Sequence, residues 1–547
     1  MSAETTSTRR LVRASRFPGL ASARVVTRGA LRGALIWGGV FGLMVWELVS
    51  QFSSQYPTVA ARAMLVSTMG SNAGLQAIFG MAHHIDTIGG YTAYHAIGVL
   101  GLIGAVWGLL AATRLTRGEE EAGRWEVLLA GQTTRRRATA GALAGLGVGL
   151  LTLWAVTAAV TVTVGRSYGA HFSVTASLFM AVAAVAATWM FMAVGVLSGQ
   201  LAGTRRQAAA MAAAIFGLAY LIRLIAYADM KLMWLRWASP LGWVDELQPL
   251  TGSRPLLLLP VTAFTVVLAV AAVILAGRRD LGASVLPASD TAVPRTRLLT
   301  GPFGLACRLA RRGAFGWFAG LAGGGLILGL TAKGTETVFS SQSGGVIAKL
   351  GGTTGGASYL GIAFLIIALV IAMAAAGQVA ATRDEEAEGY LDHLLARPVA
   401  RLPWLAGRFA VSATVLAVDG LVAGLFTWAG AAATGAGLSF PALLAAGVNA
   451  VPAAVFVLGT GTLIYGLAPR FAAVAAYGIV AWSFLVEIIG ADIGASRWLL
   501  DTSLLHHITR APAAPVNWDS VAILAAIGIA AAIAGTVAFT RRDLAGA

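Results

Sequence analysis

The chain is expected to be an all-α polytopic membrane protein, with about 12 transmembrane helices in two parallel six-helix repeats related by a pseudo-twofold along the membrane normal. Three observations predict this class. Hydrophobic residues fill 57% of the 547 positions and charged residues only 12%, with a mean hydropathy of +0.77, a composition foreign to soluble domains of this length. Apolar runs of about 20 residues, enough to cross roughly 30 Å of hydrocarbon, recur along the chain. Two charged stretches between such runs are near copies of one another.

The elements follow in order. Apolar length places spans near residues 34–53, 94–113, 138–164, 174–200, 207–229 and 258–277, and again near 314–332, 359–381, 404–434, 440–467, 470–491 and 519–540. A polar, proline-containing connection at 278–313 separates the two sets. Residues 34–53 are too long, and too poorly followed by a small-residue cleavage site, for a removed signal peptide, so they read as a retained span. Arginines gather in alternate loops: Arg9, Arg10, Arg24 and Arg28 before span one, Arg114, Arg117 and Arg135 to Arg137 after span two, Arg205 and Arg206 after span four, and Arg278 and Arg279 after span six. Arg383, Arg401, Arg470, Arg541 and Arg542 continue the series, while Arg236 and Arg497 fall on the other side. Since basic short loops stay inside, both termini are expected to be cytoplasmic. Arginine far outnumbers lysine and alanine and glycine abound, which suggests a bacterial plasma membrane.

The repeat is visible without gaps in one place. "TRGEEEAGRWEVLLAGQTTR" from Thr116 aligns with "TRDEEAEGYLDHLLARPVAR" from Thr382, sharing Thr, Arg, two Glu, Gly, two Leu, Ala and the last Arg. "RGALIW" at Arg32 and "RGAFGW" at Arg312, and "RRDL" at Arg278 and at Arg541, are further landmarks. The domains are therefore residues 1–290, with a charged segment at 114–137, and residues 291–547, with its counterpart at 382–403. Six spans per half return each copy to the side on which it began, which makes the repeats parallel.

Each charged segment falls between spans two and three. The run Glu119, Glu120 and Glu121 is expected to carry a helix out of the bilayer, Gly123 to let the backbone turn, and Arg124, Trp125, Glu126, Leu128 and Leu129 to form a short helix whose apolar side faces the cytoplasm. Glu385, Glu386, Glu388, Gly389, Leu391, Asp392, Leu394 and Leu395 repeat the pattern, followed by Pro398 and Arg401.

The acidic run, the glycine, the "LL" pair and, in the second copy, "ARPVAR" resemble the permeases of ATP-binding-cassette exporters, in the drug and polysaccharide exporter superfamily with six spans per half. The fused length, with "WASPLGWVDELQP" from Trp237 before span six, looks like the actinobacterial tetronasin-type antibiotic or multidrug exporter permeases. The resemblance implies that the charged segments couple to a nucleotide-binding subunit, that two copies of a separate ATPase bind ATP and Mg, and that the cargo is hydrophobic or amphiphilic. The chain itself offers no ATPase: a phosphate-binding loop needs Gly-Lys-Ser/Thr, and Lys231, Lys333 and Lys349 are the only lysines, none after a glycine. Neither enzyme activity nor a cofactor is expected in this chain.

Other polar residues offer weaker signals. Glu47, Asp419 and Glu487 lie in or near apolar spans, where ionised groups are costly, and read as either pathway residues or interhelical polar contacts. Trp237, Pro240 and Trp243 read as an interfacial turn or an outer gate. His83, His84 and Asp86, or His506 and His507, do not give a closed set of ligands, so no metal is expected. The formal charge of +15 is spread along span ends rather than gathered on one face, which argues against nucleic acid. Two alternatives stay open: a proton-driven secondary drug transporter, for which twelve spans in two halves are equally apt, and an ABC exporter of lipid or glycan.

Overall fold

The computed structural model describes residues 19–67, 79–131, 133–228, 230–279, 301–341, 356–492 and 497–543, with positions 76 and 299. Among them every regular element is helical, as hydrocarbon demands of a chain that must satisfy its own backbone. Among the described residues twelve helices are long and apolar enough to cross a membrane. In the first half they are α1 (Ala21–Gln55), α2 (Ile88–Glu121), α3 (Arg135–Val164), α4 (Val174–Leu201), α5 (Arg205–Tyr227) and α6 (Pro255–Ala276). In the second they are α7 (Gly313–Lys333), α8 (Gly356–Ala387), α9 (Arg401–Thr434), α10 (Phe440–Leu467), α11 (Pro469–Glu487) and α12 (Trp518–Arg541). Contacts divide the chain into two compact units, Met1–Ala292 and Val293–Ala547. Gln132, the end of the first "RRDL" motif and most of the connection between the halves lie outside the described residues.

Within each unit the pairing is the same: the first span packs on the third, the second on the fourth, and the fourth on the sixth. The fourth span is therefore central. Its apolar stretch is 83% enclosed by protein in α4, where Met180, Met190 and Phe191 are fully buried. In the second unit α10 takes that place. Gly459 and Gly466 on α10 meet Gly528 and Gly535 on α12 backbone to backbone, and a Cβ at Gly459 would run into the Gly528 carbonyl.

Two elements differ from the sequence expectation. The first helix begins at Gly19, well before residue 34, because Ser22, Val26 and Ala30 form a buried stripe at helical spacing while Arg24 and Arg28 face outward. Apolar length alone misses such a segment; its periodicity reveals it. The seventh helix likewise starts at Pro302 rather than near 314.

The glycine crossing gives a testable consequence. Gly459→Leu should destabilise the second unit by about 1–3 kcal/mol through overpacking, read as a lower melting temperature of the detergent-solubilised chain. Gly478→Leu, where a Cβ meets nothing, should leave it unchanged.

Candidate functional site

The acidic run continues the second span out of the apolar zone. Past Thr113 the helix loosens into one π-turn, Arg114–Gly118, resumes as Glu119–Glu121 and ends at Ala122. Gly123 then turns the chain at φ 72° and starts the short helix Arg124–Leu129. The second copy does the same with Gly389 at φ 75° before Tyr390–Leu395. Both glycines occupy the left-handed region that other residues enter at a cost.

The middle glutamate of each run does not face water. Glu120 is buried and receives Arg279 in a bidentate pair, Nη1 to Oε1 at 2.7 Å and Nη2 to Oε2 at 2.6 Å. Glu386 receives Arg542 with the same two distances, 2.7 and 2.6 Å. Each arginine lies just past the last span of its unit, so the pair ties the end of the sixth helix to the end of the second. A third helix joins it: Arg135, the first residue of α3, donates to the Arg279 carbonyl, and Arg401, the first of α9, donates to the Arg542 carbonyl at 2.5 Å. Fork-shaped donors on carboxylates give the strongest geometry of this kind.

Around that shared centre the units differ. In the first, Arg279 Nε donates to Gln200 Oε1 at 2.8 Å, Arg117 donates to Glu120 and to the Gly203 carbonyl, and Glu121 accepts the Arg205 amide. Glu119 pairs instead with the exposed Arg124. In the second, the Arg542 guanidinium lies 5.1 Å from the ring centres of Tyr465 and Phe539, and Glu385 reaches Arg408 on α9 at 2.7 Å. Glu126, Glu388, Asp392 and Pro398 are exposed.

The apolar side of the short helices is turned inward, contrary to the sequence expectation. Trp125 is buried among Val26, Ala30, Ala138 and Leu146, with Leu128 and Leu129 against the same cluster. Leu391 is buried with Trp404 and Phe539, and Leu394 and Leu395 pack beside them. The anchored glutamate fixes which side of the helix meets the protein. The outward face carries Val127, 79% exposed, and Tyr390, 63% exposed.

Arg279, Arg542 and Arg135 escaped sequence reasoning as partners of the acidic run, although the repeated "RRDL" was the signal that leads to two of them. On the opposite side, Arg223 and Asp245 form a buried pair at 2.6 Å, and Glu487 pairs with Arg510 at 3.4 Å. The serine bonds Ser239 Oγ to the Ala219 carbonyl and Ser503 Oγ to the Ser483 carbonyl set these regions in register, so Arg223 corresponds to Glu487: one position, opposite charge. Glu487 thus ties its helix to the loop that carries Arg510. Glu47 is exposed, and Asp419 is fully buried on α9. Trp243 Nε1 donates to the Trp237 carbonyl at 2.8 Å, and Pro240 opens the helix Pro240–Asp245 that carries Trp243. His83 bonds Gln248, and burial holds its imidazole below the usual range.

Each unit also carries an apolar cavity open at its surface. The first, about 540 Å³, is walled by Trp37, Leu102, Trp107, Leu110, Phe216 and Tyr220. The second, about 340 Å³, is walled by Trp317, Leu321, Leu328, Ile366, Ile367 and Val370.

The ion pairs make a stability prediction. Glu386→Ala leaves Arg542 without its carboxylate and should cost about 3–5 kcal/mol, whereas Glu386→Met with Arg542→Leu should recover most of that loss, since replacing a buried pair by apolar groups is often neutral. Thermal unfolding in detergent of the two variants measures the difference.

The family model described as "Multidrug efflux system permease Rv1217c, C-terminal domain" matches residues 23–276 and 299–540. The multidrug efflux system permease protein Rv1217c of Mycobacterium tuberculosis (strain ATCC 25618 / H37Rv) is 30% identical over 517 residues, covering 91% of this chain and 89% of its own length. With matches over nearly the whole of its length, this multi-pass membrane protein belongs to the multidrug efflux system permease family.

Proposed function

We propose that this permease is the membrane subunit of an ATP-binding-cassette exporter that moves hydrophobic or amphiphilic drug-like compounds out through the plasma membrane. Two copies of a separate ATPase, holding ATP and Mg, dock on its cytoplasmic side, where both termini lie. The observation that carries this reading is the duplicated charged segment, anchored from within by a buried ion pair and presenting Val127 and Tyr390 outward. A loop that only obeys topology has no need of a bidentate anchor repeated in both halves.

The geometry suggests how a push is passed on. Force on the helix Arg124–Leu129 enters through Trp125 and Leu128, which pack on the protein. Glu120 carries it to Arg279 at the end of the sixth span, and the Arg279 carbonyl links that point to Arg135 at the start of the third. Spans two, three and six therefore move together in response to one contact. Glu386, Arg542 and Arg401 do the same in the second half. The cargo class follows from the aromatic and aliphatic walls of the two cavities, which suit apolar organic molecules, and from the efflux role named for the relative. Trp237, Pro240 and Trp243 serve as an outer gate, held by the Trp243 bond to the Trp237 carbonyl.

The proton-driven alternative calls for matching membrane carboxylates in both halves. Glu47, Asp419 and Glu487 do not occupy equivalent positions, Asp419 matching Leu153 and Glu487 matching Arg223, which counts against that reading.

Two measurements test the reading. Native mass of the solubilised complex should correspond to one permease chain with two ATPase subunits; two permease chains per ATPase pair would contradict it. Val127→Asp with Tyr390→Asp should insert normally yet abolish most drug-stimulated ATP hydrolysis, because each charge would be desolvated against the partner. Wild-type stimulation in that variant would mean the segments do not dock.

A further inference from the structure

Asp419 sits near the middle of α9, roughly 27 Å of helix from Arg401 and roughly 22 Å from Thr434 at 1.5 Å per residue. It is fully buried, and neither carboxylate oxygen has a hydrogen-bond partner among the described residues. Leu416, Gly420 and Ala423, on the same side of the helix, are buried with it. The helices packed on α9 are α7, α8, α10 and α12. Residues 313–332, 356–382, 440–467 and 520–540 of these helices include no Asp, Glu, Lys, Arg or His, and between Phe409 and Thr434 α9 has Asp419 alone.

Packing does not demand a carboxylate here. The matching residue of the first half is Leu153, which is equally buried, so an apolar side chain fills this place in the fold. A carboxyl group kept without a partner in a membrane-spanning core is expensive. The described residues of the helices packed on α9 supply no counter-charge for it.

The cavity of this half lies across α7 from α9. Gly324 and Gly325 of α7 line the cavity of about 340 Å³ in this half, and a Cβ on Gly325 would press on the Ala423 carbonyl and Thr427 of α9, one and two turns past Asp419.

We propose that Asp419 is the charge-recognition site of the second half for cationic amphiphiles: the cavity holds the apolar body, and Asp419 pairs with the protonated amine once α7 shifts along its glycine run. The first half has Leu153 at the matching position of α3, and its aromatic cavity accepts uncharged bodies. This inference rests on the export reading above and narrows its substrate class.

The test uses the full chain with its ATPase in cells lacking other drug pumps, and as probes a lipophilic tertiary-amine dye and its uncharged amide analogue. Asp419→Asn and Asp419→Leu should lower amine export by about tenfold or more, the scale of losing one partner of a buried charge pair, and leave amide export unchanged. Asp419→Glu should retain amine export. Binding of the amine dye to the purified chain, followed by fluorescence anisotropy, should weaken in the Asn variant by a similar factor. Unchanged amine binding, or equal loss of both probes, would overturn the proposal. If the wild-type chain binds the amine through Asp419 but exports neither probe, the export reading fails and the recognition site stands.

Discussion

A glutamate and an arginine taken out of water together organise the arginine-rich side of each half. Alone, either group would be costly to bury; joined by two hydrogen bonds they can sit inside the protein and oblige the chain around them to keep one arrangement. Glu120 with Arg279 and Glu386 with Arg542 do this at the same place in both units. From the pair follow the joining of spans two and six, the attachment of span three through a carbonyl, and the inward roll of the short helix that follows Gly123 or Gly389.

That inward roll changes the meaning of the surface. Had Trp125 and Leu391 pointed outward, any partner would meet a large apolar knob on each side. With both buried, the outward faces are smaller and unlike one another, Val127 in one half and Tyr390 in the other. The braces differ too: the first segment is held to the loop between spans four and five through Arg117 and Glu121, the second to span three through Glu385 and Arg408. Two copies of one partner would therefore meet two related but unequal surfaces.

Much of this was legible in the sequence, for physical reasons that can be named. Apolar length found all twelve spans because hydrocarbon thickness sets a hard minimum, and it clipped α1 because Arg24 and Arg28 interrupt the run while leaving Val26 and Ala30 free to pack. The turn at Gly123 was readable from glycine's tolerance of positive φ. The direction of Trp125 was not, because the helix Arg124–Leu129 is too short for periodicity to tell protein from water; a contact far along the chain, Arg279, decides it. The difference between Asp419 and Glu487 was hidden for the same reason. Both are acids in apolar spans, and only the fold reveals that Arg510 reaches one and no basic residue of the packed helices stands beside the other.

The central claim is that the buried ion pairs fix which face of each short helix is presented to a partner. Cys307 is the only cysteine in the sequence, so single cysteines placed in a Cys307→Ser background can be read without interference. Cysteines at Val127 and Tyr390 should crosslink rapidly to the co-expressed ATPase through a short bifunctional reagent, and cysteines at Trp125 and Leu391 should not. Crosslinking from Trp125 and Leu391 with none from Val127 and Tyr390 would contradict the account.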